Sequence, residues 1–263
     1  MTLDPGWCLV LGASSGFGAA ASIAFARAGL DVAGVHLDRR ASLPNAEAVI
    51  KEVEACGRRA RFFNANAANP KQRAETVEEL QGLMAEGPRL RVLLHSLAFG
   101  TLKPLVARER ADAVTPAQMA MTLEVMATSL IDWTEALVAA DLLERGGRVF
   151  AMTSEGGRRV IPSYGPVAVA KAAIEAVVRQ LALELAPLEI TANAICAGVT
   201  ETPALAKIPG CEEMLEVSRR RNPRGRLTTP EDVAGVLVAL SEKRCGWLTG
   251  NVIQVDGGEG IGA

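Results

Sequence analysis

The one tyrosine of this chain stands seven positions before a lysine, at Tyr164 and Lys171. A phenol can donate a proton or a hydrogen bond to the oxygen of a reacting carbonyl, and a nearby ammonium group would lower its pKa. Pro166 suits the first position of a helix with Gly165 as its cap, so Tyr164 is predicted to precede the helix that carries Lys171. From this pair alone the plainer interpretation is favoured, a half-buried interface tyrosine and a solvated lysine.

A glycine-rich turn follows the first apolar run of the chain. Gly12, Gly16 and Gly18 fall in L-G-A-S-S-G-F-G-A-A, where small residues let the backbone approach a pyrophosphate. The helix that begins there adds amide donors and a partial positive charge. Because the turn stands at the start of a βαβ pattern, it favours dinucleotide binding over a purely structural role.

The end of the second predicted strand bears on the choice of cofactor. A carboxylate there would hold the ribose hydroxyls of NAD, whereas arginine would neutralise the additional phosphate of NADP. The segment reads H-L-D-R-R from His36 to Arg40. A ribose contact at His36, followed by Arg39 and Arg40, favours NADP(H), while a contact at Asp38 leaves NAD(H) possible. The two arginines are alternatively part of a charged surface loop.

The elements that must position these residues alternate along the chain. Apolar runs of strand length alternate with helical patterns, which predicts an α/β fold, one doubly wound domain over residues 1–263 with a seven-stranded parallel sheet and helices on both faces. The predicted strands are Trp7–Leu11, Asp31–Val35, Arg59–Asn64, Val92–His95, Gly147–Met152, Thr191–Ile195 and Val252–Val255. The predicted helices are Ala19–Ala28, Asn45–Cys56, Arg73–Glu86, Pro116–Leu143 and Val167–Ala186.

The stretch from Gly198 to Pro230 departs from this alternation. It is polar, contains Pro203, Pro209 and Pro223, and shows only short helical patches. We predict a movable lid at about 199–226 rather than a second domain.

Composition argues against several other function classes. The net charge is −2 and no long run of like charge occurs, so neither nucleic acid nor an anionic membrane is an expected partner. The arginines within 219–226 lack interleaved aromatics, which favours a solvated loop. Five widely spaced cysteines predict neither a disulfide framework nor a zinc site. Since no signal segment and no bilayer-length apolar stretch is found, we expect a soluble cytoplasmic protein.

With these elements in order, the sequence resembles the short-chain dehydrogenase/reductase family from Cys8 to Gly258, which implies a single Rossmann-fold domain. Four blocks carry the resemblance: Gly12–Gly18, H-S-L-A-F-G at His95–Gly100, the Tyr164/Lys171 helix, and N-A-I-C-A-G-V-T-E-T at Asn193–Thr202. The later segments P-R-G-R-L-T-T-P-E-D-V-A and L-T-G-N-V-I-Q-V-D-G-G are also typical of that family.

Departures from the usual pattern of the family point to one of its branches. Ordinary members place tyrosine four residues before the lysine, and that position is Val167, which has no proton to donate. They also carry N-N-A-G after the fourth strand, an asparagine in the next long helix, and a proline where this chain has Ala197. Tyrosine seven before lysine, H-S-x-A-F and the later A-G instead resemble the divergent branch of enoyl-acyl-carrier-protein reductases.

The resemblance to that branch implies hydride transfer from a nicotinamide cofactor to the β-carbon of a trans-2-enoyl thioester. Tyr164 would donate to the thioester oxygen, and Lys171 would bind the nicotinamide ribose. The remaining cofactor positions that it implies are Ser14, Ser15, Phe17, Asn66, Ala67, Ser96, Leu97, Ala98, Ala197, Val199, Thr200 and Thr202, with core packing favoured for Ile195. The implied substrate positions are Phe99, Leu205, Ile208 and Met214, of which the last three are alternatively plain interface residues.

Two residues upstream of Tyr164 leave the substrate open. Ser154 stands where many members of the branch carry a further tyrosine, and also where ordinary members keep a catalytic serine. Its hydroxyl either assists Tyr164 or caps the strand end. Glu155 either points to solvent or indicates a different substrate.

The sequence therefore leaves three hypotheses for the function. The first is reduction of an enoyl thioester carried by acyl-carrier protein or coenzyme A. The alternatives are a carbonyl reductase that acts on a ketone or alcohol through Ser154 and Tyr164, and a non-catalytic relative that senses NADP. Members of the family commonly pair through the helices corresponding to Pro116–Leu143 and Val167–Ala186, so the resemblance implies a homotetramer.

Overall fold

Seven parallel strands build one sheet within residues 2–262, the part of the chain that the computed structural model describes. They are β1 (Trp7–Leu11), β2 (Asp31–His36), β3 (Ala60–Asn64), β4 (Leu90–His95), β5 (Leu143–Ser154), β6 (Thr191–Ala197) and β7 (Val252–Val255). They lie in the order β3-β2-β1-β4-β5-β6-β7. Met1 and Ala263, the two ends of the predicted domain, lie outside the described residues.

Helices cover both faces of this sheet. They are α1 (Gly16–Arg27), α2 (Leu43–Ala55), α3 (Pro70–Leu83), α4 (Pro116–Leu123), α5 (Ser129–Ala139), α6 (Gly165–Glu184), α7 (Cys211–Arg221) and α8 (Pro230–Leu240). None of the helices in residues 2–262 combines the length and the apolar character that crossing a membrane requires.

The alternation of side chains along β1 shows how the two faces are filled. Leu9 and Leu11 point to one face, where they pack with residues of α3, α5 and α6 such as Trp133. Cys8 and Val10 point to the other face, where they pack with residues of α1, α2 and α8 such as Phe25. Successive side chains of a strand face opposite ways, so each face receives its own apolar core. The predicted doubly wound α/β fold is confirmed.

The predicted helix over Pro116–Leu143 is wrong in extent. A π-helical turn at Glu124–Thr128 separates α4 from α5, and α5 ends before Asp141, which takes a left-handed φ of 53°. Strand β5 already begins at Leu143, four residues before the predicted start. The sequence did not predict this start, because Glu144 and Arg145 make the first residues of the strand polar.

Helices α7 and α8 are absent from the prediction. Helix α8 has a capping box between Thr229 and Asp232. Helix α7 lies inside the predicted lid, so the expectation of only short helical patches there is wrong. Its one buried residue is Ser218, and an apolar stripe is therefore missing from its sequence. The arginines at 219–221 form its last turn, where positive charge suits the helix dipole, and do not lie in a loop.

Because all seven strands run in the same direction, their carboxyl ends meet along one edge of the sheet. The connections lead from β1 towards β3 on one side and through β4 to β7 on the other. A crevice forms at such a reversal, outside the carboxyl ends of the strands, and it is where parallel α/β sheets bind ligands.

Candidate active site

Tyr164 lies at the N-terminal end of α6, beside the carboxyl edge of the sheet. It occupies the cap position, and Gly165 is the first helical residue, so the predicted cap is displaced by one residue. The side chain is 8% exposed and packs in an apolar cluster with Met126, Val167 and Ala170. Gly156 lies against the ring, since a Cβ there would be 2.5 Å from ring atom Cε1. The phenol is therefore held in place from several sides.

Ser154, the last residue of β5, interacts with Tyr164. Burial raises the pKa of the phenol, and the hydrogen bond with Ser154 opposes that rise. The expectation that Lys171 lowers this pKa is therefore wrong: burial is the largest cause, and Lys171 is not among the groups that shift the pKa of the phenol. The phenol carries its proton at neutral pH and can donate it. Ser154 Oγ also accepts a hydrogen bond from the Gly156 amide at 3.2 Å, so the hydroxyl does cap the strand end, and its assistance to Tyr164 stays a prediction.

Lys171 follows Tyr164 on α6 and is buried, not solvated as the plainer interpretation had it. Its Nζ donates to the carbonyl of Met152 at 2.8 Å. Burial lowers the pKa of the ammonium to about 8, while Cys196 and Glu175 act in the opposite direction. Met152 and Ser154 both belong to β5, so this one strand anchors both members of the pair.

Glu175 is a residue near this site that the sequence reading missed. It lies one helical turn beyond Lys171, and its two carboxylate oxygens accept from Thr153 Oγ1 at 2.9 Å and from Arg158 at 3.3 Å. Its i,i+4 spacing from Lys171 could have predicted it, because residues four apart on a helix lie next to each other on one face. This carboxylate supplies negative charge near the buried ammonium.

His95 lies fully buried at the end of β4. Burial, with a contribution from the charge of Lys171, lowers the pKa of the imidazole to about 3, so the ring is neutral. Ser129 Oγ donates to the Val125 carbonyl at 2.9 Å and is 2.8 Å from His95 Nε2, which must therefore carry the proton. Of His95 and Lys171, only Lys171 therefore carries a positive charge at neutral pH.

Val167 occupies the position at which ordinary family members carry tyrosine. It is 5% exposed and belongs to the same apolar cluster as Tyr164. Its methyl group lies 3.0 Å from the place that a Cβ on Gly100 would take. An apolar side chain thus fills the space where another proton donor would stand.

The glycine turn joins β1 to α1 at the same edge of the sheet. Gly12 has a φ of 91°, and a Cβ on it would lie 2.5 Å from the Ser96 carbonyl oxygen. A Cβ on Gly18 would overlap the Gly12 carbonyl. Ser15 caps α1 without a side-chain hydrogen bond, and no acidic residue occupies the first turn. Gly12 and Ala13 donate to the Val35 carbonyl, but within residues 2–262 the amides of Gly16, Phe17 and Gly18 make no hydrogen bond and can bind an anion, which fits a dinucleotide pyrophosphate.

Asp38 lies against the glycine turn rather than in solvent. Its Oδ2 is 2.8 Å from His36 Nδ1. Burial opposes its ionisation, but hydrogen bonds with Ser42, Ser14 and His36 outweigh burial and hold the pKa of the carboxyl below its usual value. Arg39 and Arg40 are exposed. This placement of Asp38 corresponds to the alternative under which the sequence left NAD(H) possible.

The other predicted cofactor residues also come to the carboxyl edge, although some are occupied by internal contacts. Asn66 Oδ1 accepts from the Ala68 amide at 3.0 Å, and the Ala67 carbonyl accepts from Trp133 Nε1 at 2.8 Å. Thr202 places its methyl group against Gly16. Ile195 lies in the core, as predicted. The positions after β3, β4 and β6 are Asn66 and Ala67, Ser96 to Ala98, and Val199 to Thr202.

Among the predicted substrate residues, the structure brings Ile208 to the apolar cluster around Tyr164. Phe99 is 62% exposed. Leu205 and Met214 are half-buried, the first in a short turn whose amide binds Thr202 Oγ1 at 3.2 Å and the second on α7. Substrate contact by these four residues stays a prediction.

Glu155 is neither fully solvated nor an isolated charge. Its Oε2 pairs with Arg159 Nε at 2.9 Å, and its Oε1 lies 4.0 Å from Cys196 Sγ. Arg159 also donates to the Gly260 carbonyl at 2.9 Å. The pair therefore fastens the loop before Tyr164 to the C-terminal segment.

Comparison with known proteins gives these features a context. Residues 12–259 match a family model described as Enoyl-(Acyl carrier protein) reductase. The chain is 29% identical over 261 residues to the 3-oxoacyl-(acyl-carrier-protein) reductase FabG of Thermotoga maritima, covering 98% of this chain and 99% of the relative. It is 31% identical over 197 residues to the enoyl-(acyl-carrier-protein) reductase (NADH) FabI of Nostoc sp., covering 75% of this chain and 74% of the relative.

Among solved structures, the enoyl-(acyl-carrier-protein) reductase (NADH) of Aquifex aeolicus superimposes with a TM-score of 0.84. The match covers 97% of this chain and 96% of the other, at 24% sequence identity. At that identity the likeness shows the fold alone.

Proposed function

Because this chain belongs to the short-chain dehydrogenase/reductase family, whose enoyl-(acyl carrier protein) reductase model it matches over residues 12–259, we propose that it reduces the 2,3 double bond of a trans-2-enoyl thioester. It is an NAD(P)H-dependent oxidoreductase of that family. The observation that carries the proposal is the pairing of a buried, protonated Tyr164 with an apolar Val167. The proton donor at the carboxyl edge of the sheet is therefore Tyr164, seven residues before Lys171, and the position four residues before Lys171 has none.

In the proposed reaction the reduced nicotinamide, when bound, supplies a hydride to the β-carbon. Negative charge develops on the thioester oxygen, and the Tyr164 hydroxyl donates to that oxygen. A preorganised donor of this kind contributes about 3 kcal/mol where water is excluded. The apolar cluster around Tyr164 excludes water from the phenol. Lys171 Nζ has donors left beyond its bond to Met152 and would bind the ribose hydroxyls of the cofactor.

For the cofactor, the contacts of Asp38 support NAD(H) over NADP(H). A carboxylate fixed beside the glycine turn can accept from both ribose hydroxyls and would repel a phosphate in that place. Arg39 and Arg40 were the reason to favour NADP(H). Both side chains are exposed, however, and it is the Asp38 carboxylate that interacts with Ser14 of the glycine turn. The NADH specificity in the name of the Nostoc relative agrees with this choice.

A carbonyl reductase is the second candidate, because Ser154 interacts with Tyr164 in the way that a serine assisting carbonyl reduction would. The Thermotoga relative, a 3-oxoacyl reductase, adds support. Val167 argues against it, since the usual tyrosine position of such enzymes lacks a proton donor.

The proposal extends to the setting of the reaction. We infer an acyl group carried by acyl-carrier protein or coenzyme A and a place in fatty-acid synthesis, as relatives named for carrier-linked acyl groups suggest. A homotetramer in the cytoplasm is proposed from the family resemblance of the sequence. Residues 199–226 would form the lid over the acyl chain, since Ile208 already contacts the cluster around Tyr164.

Two matched substrates separate the candidates. With NADH as the reductant, we expect kcat/KM for crotonyl-CoA to exceed that for acetoacetyl-CoA by at least about 100-fold. The two thioesters share carrier and chain length, so the ratio reports only the group that is reduced. A preference for acetoacetyl-CoA would refute the enoyl assignment. Cofactor binding without oxidation by either thioester would favour the sensing relative.

A further inference from the structure

The C-terminal segment after β7 holds a carboxylate that the proposed reaction does not use. Glu259 begins a short 3-10 turn over Glu259–Ile261 and is 5% exposed. Asp256 shapes this segment, because its two carboxylate oxygens accept from the amides of Gly258 and Gly260 at 2.9 and 2.8 Å. Burying a carboxylate costs free energy unless its oxygens are hydrogen-bonded. The groups that bond to Glu259 therefore indicate its structural role.

The first partner of Glu259 is the segment that follows β6. Its Oε2 accepts from the Val199 amide at 3.0 Å, and the same oxygen lies 2.8 Å from the place that a Cβ on Gly198 would take. Three residues on, Thr202 contacts Gly16 in the glycine turn. The carboxylate therefore lies behind a backbone segment, Gly198–Thr202, that reaches the proposed cofactor site.

The second partner is helix α7, within the proposed lid. Ser218, the one buried residue of α7, faces the Glu259 carboxyl and, as a hydrogen-bonding group, opposes the rise that burial causes in its pKa. Around this contact, Arg221 donates to the Glu259 carbonyl at 3.3 Å and Asn222 donates to the Asp256 carbonyl at 2.9 Å. The turn Glu259–Ile261 is one of the principal elements that α7 packs against. Helix α7 thus has little apolar burial of its own and relies on polar bonds to the C-terminal segment.

We infer that Glu259 is a positioning residue, whose carboxylate couples helix α7 to the cofactor-facing segment Gly198–Thr202. The inference rests on the proposed cofactor site. Glu259 is bonded to both elements, through its carboxylate to the Val199 amide and through its carbonyl to Arg221 of α7, where Ser218 also faces the carboxylate, so a displacement of α7 is transmitted to the Val199 amide and the reverse. Burial raises the pKa of this carboxyl, while the Val199 amide and Ser218 oppose that rise.

The test combines cofactor binding with hydrogen exchange, and neither needs a substrate. In Glu259→Ala we expect the Kd for NADH to rise about tenfold, because the half-buried Val199 amide loses its acceptor. Amides of 199–202 and of 211–221 should both exchange at least about tenfold faster, while those of β1 and β4 stay unchanged. Ser218→Ala, which removes only the contact between the carboxylate and α7, should speed exchange in 211–221 and leave 199–202 protected.

Glu213→Gln on the exposed side of α7 is the matched control and should change neither readout. If Glu259→Ala does not fold, Glu259→Gln takes its place. Its amide oxygen is a weaker acceptor than a carboxylate, so NADH affinity should fall two- to fivefold with faster exchange in both segments. In the Glu259 variant, NADH affinity within twofold of the wild type, or faster exchange in only one of the two segments, would overturn the coupling. Wild-type protein that binds NADH but does not reduce an enoyl thioester would refute the proposed function, and both readouts of the coupling would still be measurable.

Discussion

Replacing Tyr164 by phenylalanine is expected to lower kcat on an enoyl thioester by at least about 100-fold and to leave the Kd for NADH within about twofold. The substitution removes one hydroxyl and keeps the ring, which packs against Gly156 and in the cluster with Met126 and Val167. Loss of a preorganised donor to developing charge costs about 3 kcal/mol, which corresponds to roughly 100-fold in rate. Steady-state kinetics and fluorescence titration with NADH measure the two quantities.

Lys171→Met is the contrasting variant for this prediction. Its ammonium is bonded to Met152 and would bind the cofactor ribose, so we expect both kcat and NADH affinity to fall. Retention of more than a tenth of wild-type kcat in Tyr164→Phe would remove Tyr164 from its assigned role. Equal losses of NADH affinity in the two variants would show that the phenol acts only through cofactor binding.

Wild-type protein is expected to bind NADH at least about tenfold more tightly than NADPH, and Asp38→Asn is expected to abolish most of that preference. Hydrogen bonds to a charged group contribute about 1.5–3 kcal/mol, so losing the carboxylate weakens NADH binding by roughly 10- to 100-fold. Removing the negative charge also lets Arg39 and Arg40 attract the additional phosphate of NADPH. Isothermal titration with both cofactors gives the four dissociation constants.

Arg40→Gln provides the control for the cofactor preference. If Asp38 excludes the phosphate, Arg40→Gln in the wild-type background should change neither affinity by more than about threefold. Equal or tighter binding of NADPH by the wild type, weakened in Arg40→Gln, would contradict the choice of NAD(H) and restore the preference that the arginines suggested.

The inner strands β1, β2, β4 and β6 could be predicted from the sequence because they are largely apolar runs buried on both faces. For helix α7 and the beginning of β5, which lack that signal, the prediction failed. Helix α7 buries only Ser218, and the beginning of β5 includes Glu144 and Arg145. Their structure depends on partners distant in the chain, such as the C-terminal turn for α7, and no local pattern reports such partners.

The candidate site divides in the same way. The glycine turn, Ser154 and Tyr164 could be located because their spacing along the chain matches a known pattern. The contact of Asp38 with Ser14, the burial of Lys171 and the bond from Val199 to Glu259 could not, since they arise from packing. Glu259 lies 60 positions from Val199. The sign of the shift in the Tyr164 pKa likewise depends on burial, which the spacing to Lys171 does not reveal.

The position of the transferred hydrogen tests the central claim most directly. The protein is supplied with crotonyl-CoA and NADH deuterated at C4 on the transferred side, and the product is analysed by mass spectrometry and NMR. We predict butyryl-CoA with one deuterium at C3 and none at C2, where the second hydrogen comes from solvent. A product that still contains the double bond, or deuterium on a carbon that bears a new hydroxyl, would contradict enoyl reduction.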